Sequence, residues 1–138
     1  MLACLIVAHV AGCGDGRPKR VPVSGRVLID GKPLAGGNIR FYPAANRAAT
    51  AKIEPDGRFT LSTYEFGDGC VEGHHPVSVM GSKVLNARTM RWFAPKKYAS
   101  ADTSGLAFDV AGPTDSADIE LSWNGGKPFD EAIVGGGE

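Results

Sequence analysis

The stretch Pro55-Asp56-Gly57-Arg58-Phe59-Thr60-Leu61 decides the fold, because it joins a tight-turn signal to the start of an alternating strand. Asp56-Gly57 is typical of two-residue hairpin turns, which need the positive backbone φ that Asp and Gly tolerate. Apolar and polar residues alternate on both sides of the turn, over 50–54 and 58–62. This alternation predicts an antiparallel hairpin with one face in a core. An isolated hairpin is marginally stable in water, so we expect further strands to pack on it.

Composition and charge favour a single all-β domain. The chain has 138 residues, which is enough for one domain with its own core and a tail. Its 19 glycines and 9 prolines indicate many turns between short strands. Lys plus Arg and Asp plus Glu balance at 15 each, so the net charge is zero. A neutral chain lacks the basic surface of nucleic-acid-binding proteins, and we expect no nucleic-acid partner.

The N-terminal segment differs from the rest of the chain. Leu2 to Val10 is apolar apart from His9, which is too short for a membrane-spanning helix but fits a secretory signal. It ends in Val10-Ala11-Gly12-Cys13, which resembles the bacterial lipobox. The resemblance implies that residues 1–12 are a lipoprotein signal peptide and that Cys13 is the lipid attachment site. Because no Lys or Arg precedes the apolar run, an ordinary cleaved signal and an apolar start in a cytosolic protein are the alternatives.

Residues 13–20 predict a flexible tether between the signal and the folded domain. They are polar and rich in residues that resist regular structure. Arg17, Lys19 and Arg20 either contact anionic head groups or stay solvated. Two or more acyl chains hold a protein stably on a membrane, whereas a single chain does not. We therefore expect a membrane-anchored lipoprotein of the cell envelope that faces the periplasm or the cell surface.

Residues 21–124 are expected to form one antiparallel domain of about seven short strands. Gly25, within the first strand, marks a bulge or a close approach of two backbones. Pro76 cannot donate to a ladder, so the fifth strand is expected at a sheet edge. Strands at this spacing predict a two-sheet sandwich, and the glycine-rich residues 125–138 predict a flexible tail. The apolar positions that define the strands are Val21, Val23, Val27 and Ile29; Ile39 and Phe41; Ala51 and Ile53; Phe59 and Leu61; Val77 and Val79; Leu106, Phe108 and Val110; and Ile119, Leu121 and Trp123.

A series of short motifs follows the lipobox in a characteristic order. They are Val23-Ser24-Gly25-Arg26-Val27, Asp30-Gly31-Lys32-Pro33-Leu34, Phe41-Tyr42-Pro43, Asp56-Gly57-Arg58-Phe59-Thr60-Leu61, Gly67-Asp68-Gly69, Ala94-Pro95-Lys96-Lys97-Tyr98 and Thr103-Ser104-Gly105-Leu106. Together they resemble the carboxypeptidase regulatory-like, or transthyretin-like, domain, and their order is similar to that in small planctomycete lipoproteins. The resemblance implies a prealbumin-like β-sandwich on the cell envelope. In peptidases that carry such a domain, catalysis belongs to a different domain.

No residue pattern predicts catalysis, a cofactor or a metal site. His74 and His75 lie near Asp68 in sequence, but adjacent strand residues point to opposite faces and no spaced Cys/His pattern supports them. The serines include no Gly-x-Ser-x-Gly elbow. Cys70 fits no nucleophile motif and is expected in a loop or half-buried. We therefore expect a protein that is not an enzyme.

The long segment 82–104 is the candidate binding region. It holds Arg91, Trp92, Phe93 and Tyr98, and long loops inside compact domains are often functional. Aromatic faces beside cations can stack on sugar rings or hold acidic peptides, which predicts an envelope glycan or protein as partner. Alternatively, these rings cover an open edge or end of the sandwich. The expected function is a non-catalytic binding or structural module; the specific alternative is a carbohydrate- or peptide-binding module that uses segment 82–104.

Overall fold

The computed structural model describes residues 16–134, so the predicted signal peptide and Cys13 lie outside the described residues. This part of the chain is all-β, as the sequence predicts. It contains a 3₁₀ helix (Lys96–Ala99), one short helix, α1 (Ala101–Ser104), and eleven strands. The strands are β1 (Ser24–Ile29), β2 (Lys32–Pro33), β3 (Asn38–Phe41), β4 (Ala49–Lys52), β5 (Arg58–Thr60), β6 (Gly73–Met80), β7 (Ser82–Asn86), β8 (Thr89–Trp92), β9 (Leu106–Val110), β10 (Ile119–Leu121) and β11 (Phe129–Ala132).

Two sheets enclose a common core. In the first, β1 pairs antiparallel with β2 and β5 but in parallel with β10, so the prediction of an antiparallel domain is wrong for this pair. The second has the order β4-β3-β6-β9 and is antiparallel throughout. The rings of Phe41 and Phe59 lie 6.2 Å apart and join the two sheets. The largest buried side chains of this core are Phe41, Phe59, Leu34, Ile39, Ile53 and Leu61.

The backbones of β1 and of the segment before β10 approach each other closely at Gly25. A Cβ atom at this position would overlap the carbonyl oxygen of Ala117. The Ala117 N–H donates to the carbonyl of Ser24 at 3.0 Å, which fixes the two segments at this separation. Any side chain at position 25 would have to displace that backbone. The predicted close approach at Gly25 is confirmed.

Asp30-Gly31 and Asp56-Gly57 form different turns, and the prediction of a two-residue turn at Asp56-Gly57 is wrong. Only Gly57 of that pair has positive φ, at 84°, and its N–H donates to the Glu54 carbonyl. Pro55 fixes the φ that a type I turn needs at its first central position, so the loop has three residues and ends in a bulge. The two-residue turn instead joins β1 to β2 at Asp30-Gly31, with φ of 48° and 81°.

The arms of the predicted hairpin belong to different sheets. β4 pairs with β3, whereas β5 pairs with β1. Between the two arms, Thr50 and Ser62 exchange two backbone hydrogen bonds of 2.9 Å. The stretch around Gly57 is therefore a corner that carries the chain from one sheet to the other.

β6 is an interior strand, so the prediction that Pro76 marks a sheet edge is wrong. The strand pairs with β3 on one side and with β9 on the other. The Pro76 carbonyl accepts the N–H of Tyr42, which is one residue past the end of β3. A residue in a strand directs its N–H and C=O to the same side. The backbone N of Pro76, which carries no hydrogen, therefore points toward β3 at a position beyond the last residue of that strand.

A third sheet occupies regions that the sequence predicted as loop and tail. β7 and β8 form a hairpin, and β11 pairs antiparallel with β8. Segment 82–104 is therefore not a long loop, and the prediction of a flexible tail over 125–138 is wrong for Phe129–Ala132. These three strands and β2 raise the count from the predicted seven or so to eleven within residues 16–134. In residues 16–134, no helix has the length and apolar character needed to cross a membrane.

Candidate functional site

The four side chains of the predicted binding surface do not form one exposed platform. Trp92 and Tyr98 are buried, Phe93 is half-buried against the core, and Arg91 is exposed. Successive residues of a strand point to opposite faces, which places Arg91 and Phe93 on the side of β8 that Trp92 does not share. The structure thus places Arg91 and Trp92 on opposite faces of β8, and Tyr98 lies on the 3₁₀ helix outside this sheet.

Trp92 and Tyr98 hold parts of the fold together. The Trp92 ring stacks on Phe129 of β11 with ring centres 6.4 Å apart, and Phe129 forms a T-shaped pair with Trp123, also with ring centres 6.4 Å apart. The Tyr98 hydroxyl donates to the Ser122 carbonyl at 3.2 Å and accepts the Ser122 N–H at 3.1 Å. These positions match the alternative in which the rings cover an edge of the fold.

A groove of about 760 Å³ lies between the β1–β2 turn and the third sheet. Phe93 and Trp123 are the aromatic residues that line it, and Leu34 forms part of its apolar wall. Five side chains on its lining carry charge or a hydroxyl. They are Asp30, Lys32, Ser82, Lys83 and Arg91.

Backbone contacts fix the walls of the groove. The Asp30 N–H donates to the Leu121 carbonyl at 3.0 Å, and an Asp30 carboxylate oxygen accepts the Trp123 N–H at 3.4 Å. Directly after Trp123, Asn124 and Gly125 have φ of 49° and 87°, and the Gly126 N–H donates to the Trp123 carbonyl. This second primed turn holds the Trp123 backbone beside the β1–β2 turn.

Positive charge predominates along the groove. Arg91 makes a bidentate pair with Asp130, with nitrogen to oxygen distances of 2.7 and 3.2 Å. The hydrogen bond with Asp130 raises the pKa of Arg91, and the same bond lowers the pKa of Asp130. Lys32 and Lys83 have no ion-pair partner within the part of the chain that the structure describes. Their ammonium groups are therefore available to an acidic ligand that lies on the aromatic faces.

The histidines do not form a cluster with Asp68. His74 is exposed, and its Nδ1 lies 2.6 Å from Asp109. His75 is fully buried, and its Nε2 donates to the carbonyl of Val71 at 2.7 Å. Asp68 instead pairs with Arg20 at 2.9 Å. Between residues 16 and 134, no group of three His, Cys, Asp or Glu side chains is placed to hold a metal ion.

Cys70 is a free thiol in the loop between β5 and β6, as expected, but it is buried and not half-buried. Its N–H and carbonyl pair with those of Val21 across an isolated bridge. Burial raises the pKa of the Cys70 thiol to about 11, and the negative charge of Asp68 acts in the same direction. A thiol with this pKa is protonated at neutral pH and is a poor nucleophile.

Sequence reasoning missed most of the groove. The sequence pattern places Trp123 in the last strand and gives Lys32 and Lys83 no role. These residues are far apart in the chain, so no local pattern connects them. The one local signal was Asn124-Gly125, a dipeptide typical of primed turns, which directly follows Trp123.

Comparisons with protein-family models, with curated proteins and with solved structures found no match for this chain. The geometry of the groove and the motifs of the sequence are therefore the basis on which a function can be proposed.

Proposed function

We propose that this chain is a membrane-anchored lipoprotein of the cell envelope whose β-domain acts as a non-catalytic binding module. The observation that carries the proposal is the groove between the β1–β2 turn and the third sheet. Its volume of about 760 Å³ is in the range of small-molecule sites, about 300 to 1,000 Å³. Its aromatic faces, Phe93 and Trp123, stand beside the exposed ammonium groups of Lys32 and Lys83.

The chemistry of the groove favours an acidic saccharide. Phe93 and Trp123 can stack on the apolar face of a sugar ring, because an aromatic ring presents a flat apolar surface. Lys32 and Lys83 can pair with carboxylates on that sugar, and neither lysine would have to break an ion pair with another residue of 16–134. An acidic peptide also carries carboxylates, but it offers fewer flat groups that could stack on Phe93 and Trp123.

The fold and the anchor are parts of the same proposal. A prealbumin-like sandwich of the carboxypeptidase regulatory-like type is supported by the motif order and by two sheets around a common core. Lipidation at Cys13 is supported by the lipobox. The non-catalytic role is supported by the separate partners of His74, His75 and Asp68, and by the raised pKa of the buried Cys70 thiol.

The test is a glycan array with acidic and neutral saccharides, probed with the full chain. We expect saturable binding to acidic saccharides, and a loss of at least about tenfold in the double variant Lys32→Glu/Lys83→Glu, because each reversed charge would repel a carboxylate. Lys52→Glu is the matched control, since Lys52 is exposed on β4 and does not line the groove. This control should bind like the wild type.

A second variant separates stacking from charge. Trp123→Ala removes one aromatic face of the groove and leaves both lysines in place, so we expect weaker binding with an unchanged preference for acidic over neutral sugars. Equal binding by the wild type and the groove variants would refute the groove as the site. Binding to acidic peptides and not to saccharides would retain the site and replace the ligand class. The lack of any saturable ligand would favour a purely structural lipoprotein.

A further inference from the structure

The loop between β5 and β6 carries an exposed phenylalanine, and hydrogen bonds hold the backbone of this loop in place. The side chain of Phe66 is 95% exposed. Around it, the Asp68 carboxylate accepts the N–H groups of Thr63, Tyr64 and Glu65 at 2.6, 3.0 and 3.1 Å. The pKa of Asp68 is below its usual value, because these bonds and Arg20 outweigh the opposing effect of burial. The loop is thus held by its own carboxylate, and the Phe66 ring is left to project outward.

Beside this ring, three arginines surround one tyrosine. The guanidinium carbons of Arg17, Arg20 and Arg47 lie 4.5, 4.8 and 5.4 Å from the centre of the Tyr64 ring. We call these four residues the Tyr64 cluster. Two of its cations also meet carboxylates, Arg20 with Asp68 at 2.9 Å and Arg17 with Glu65 at 4.0 Å. Lys19, in the same N-terminal segment, is a further exposed cation.

This surface lies where the N-terminal segment enters the fold. Arg17 contacts the Tyr64 ring, and Val21 pairs with Cys70 directly after the loop. Only the chain from Cys13 to Arg17 separates the lipid attachment site from the cluster, which is at most about 14 Å when fully extended. The groove lies at the other end of β1, because Ile29 and Asp30 line it.

We propose that Phe66 and the Tyr64 cluster form a membrane-docking surface, with Phe66 inserted among the head groups of an anionic bilayer. This inference rests on the proposed function, since an acyl chain on Cys13 would bring this end of the domain to the bilayer. Aromatic rings are favoured at the boundary between head groups and acyl chains. Arginine fits phosphate because its planar fork can donate two hydrogen bonds at once. The groove then faces away from the membrane.

The test uses the full chain on vesicles of phosphatidylcholine and phosphatidylglycerol whose lipids carry bromine near the head group. A tryptophan introduced by Phe66→Trp reports contact with lipid through quenching of its fluorescence. The matched control is Val84→Trp, because Val84 is exposed on β7, the strand whose Ser82 and Lys83 line the groove. Trp92 and Trp123 give the same background in both variants.

We expect bromolipid to quench the added emission of Phe66→Trp by roughly twofold or more, with little change in Val84→Trp. Phe66 is almost fully exposed, so its replacement should leave the unfolding midpoint unchanged. Arg47→Glu should weaken the quenching on phosphatidylglycerol vesicles, whereas Lys52→Glu should not. Equal quenching at positions 66 and 84, or none at 66 in vesicle-bound protein, would overturn the docking surface.

The same samples separate failure of docking from failure of the anchor. Intact mass shows whether Cys13 is acylated, and quenching shows whether Phe66 meets lipid. Acylated, vesicle-bound protein without quenching at position 66 would refute docking and keep the anchor. Quenching at position 66 with an unmodified Cys13 would keep docking and refute the anchor. Crosslinking of position 66 to an envelope protein, without quenching, would assign the surface to a protein partner and overturn lipid docking.

Discussion

The two ends of β1 are built in different ways. At its start, backbone meets backbone: Val21 pairs with Cys70, and a Cβ atom at Gly69 would overlap the carbonyl of Val21. At its end, the Asp30-Gly31 turn faces the third sheet across a groove lined by side chains. The first end has little space for substitution, whereas the second can change its lining without moving the backbone. In the proposed function, the first end is held at the membrane and the second binds a ligand.

The largest effect is expected from Gly69→Ala. The new Cβ would overlap the Val21 carbonyl, and φ is 82°. Overpacking and left-handed strain together should lower the free energy of unfolding by roughly 3 to 5 kcal/mol. Gly31→Ala is the matched control, because φ is 81° there and no atom lies within 4 Å of the new Cβ. It should cost only about 1 kcal/mol in urea unfolding, and equal costs would refute the difference between the two ends.

Asp68 should contribute the next largest effect. Asp68→Ala removes the acceptor of three N–H groups and the partner of Arg20, which should cost about 2 to 3 kcal/mol at neutral pH. The folded-state pKa of Asp68 lies below its ordinary value of 3.8. Stability from the carboxylate is therefore complete above that value and is lost as pH falls through the folded-state pKa.

The matched variant for this pH effect is Asp68→Asn, which keeps the shape of the side chain and removes its charge. Urea unfolding at a series of pH values should show the advantage of the wild type over Asp68→Asn at pH 7 and its decline in acid. An advantage that grows as the pH falls would contradict the assigned role of the carboxylate.

Cys70 should lower the free energy of unfolding by about 2 kcal/mol at alkaline pH. Its pKa is about 11 in the fold against an ordinary value of 9.0. The unfolded chain therefore releases the thiol proton first, and the wild type should lose stability relative to Cys70→Ala as pH rises from about 9 to about 11. Below about pH 8 the difference between the two proteins should be constant. A difference that does not change with pH would contradict deep burial of the thiol.

The smallest effect on stability is expected in the groove. Lys32→Glu/Lys83→Glu should change the free energy of unfolding by less than about 0.5 kcal/mol, because both side chains are exposed and make no ion pair with residues 16–134. Urea unfolding beside the glycan array checks this. A loss of stability as large as that in Asp68→Ala would show that the groove lysines also support the fold.

The strands with one buried face could be predicted from sequence. Val23, Val27, Ile39 and Phe41 alternate with polar residues, and burial in the two-sheet core follows that alternation. The partners of each strand were harder to predict from sequence. The arms around Gly57 belong to different sheets, and β5 pairs with β1, which is distant in the chain. β7 gave no signal because four of its five residues are exposed, which removes the alternation.

The candidate site was predictable only in part. Of the residues predicted in segment 82–104, Arg91 and Phe93 line the groove, whereas Trp92 is buried. Trp123 enters the groove because a primed turn follows it, and Lys32 enters because β2 continues from the Asp30-Gly31 turn. These residues are brought together by the tertiary structure, which a local sequence pattern does not predict.

The central claim is that the start of β1 is the membrane end of an anchored module. Intact-mass measurement of the protein from the membrane fraction of the producing cells tests it most directly. We predict a chain that begins at Cys13, lacks residues 1–12 and carries acyl chains on that cysteine. A chain that retains residues 1–12, or an unmodified Cys13, would contradict the claim.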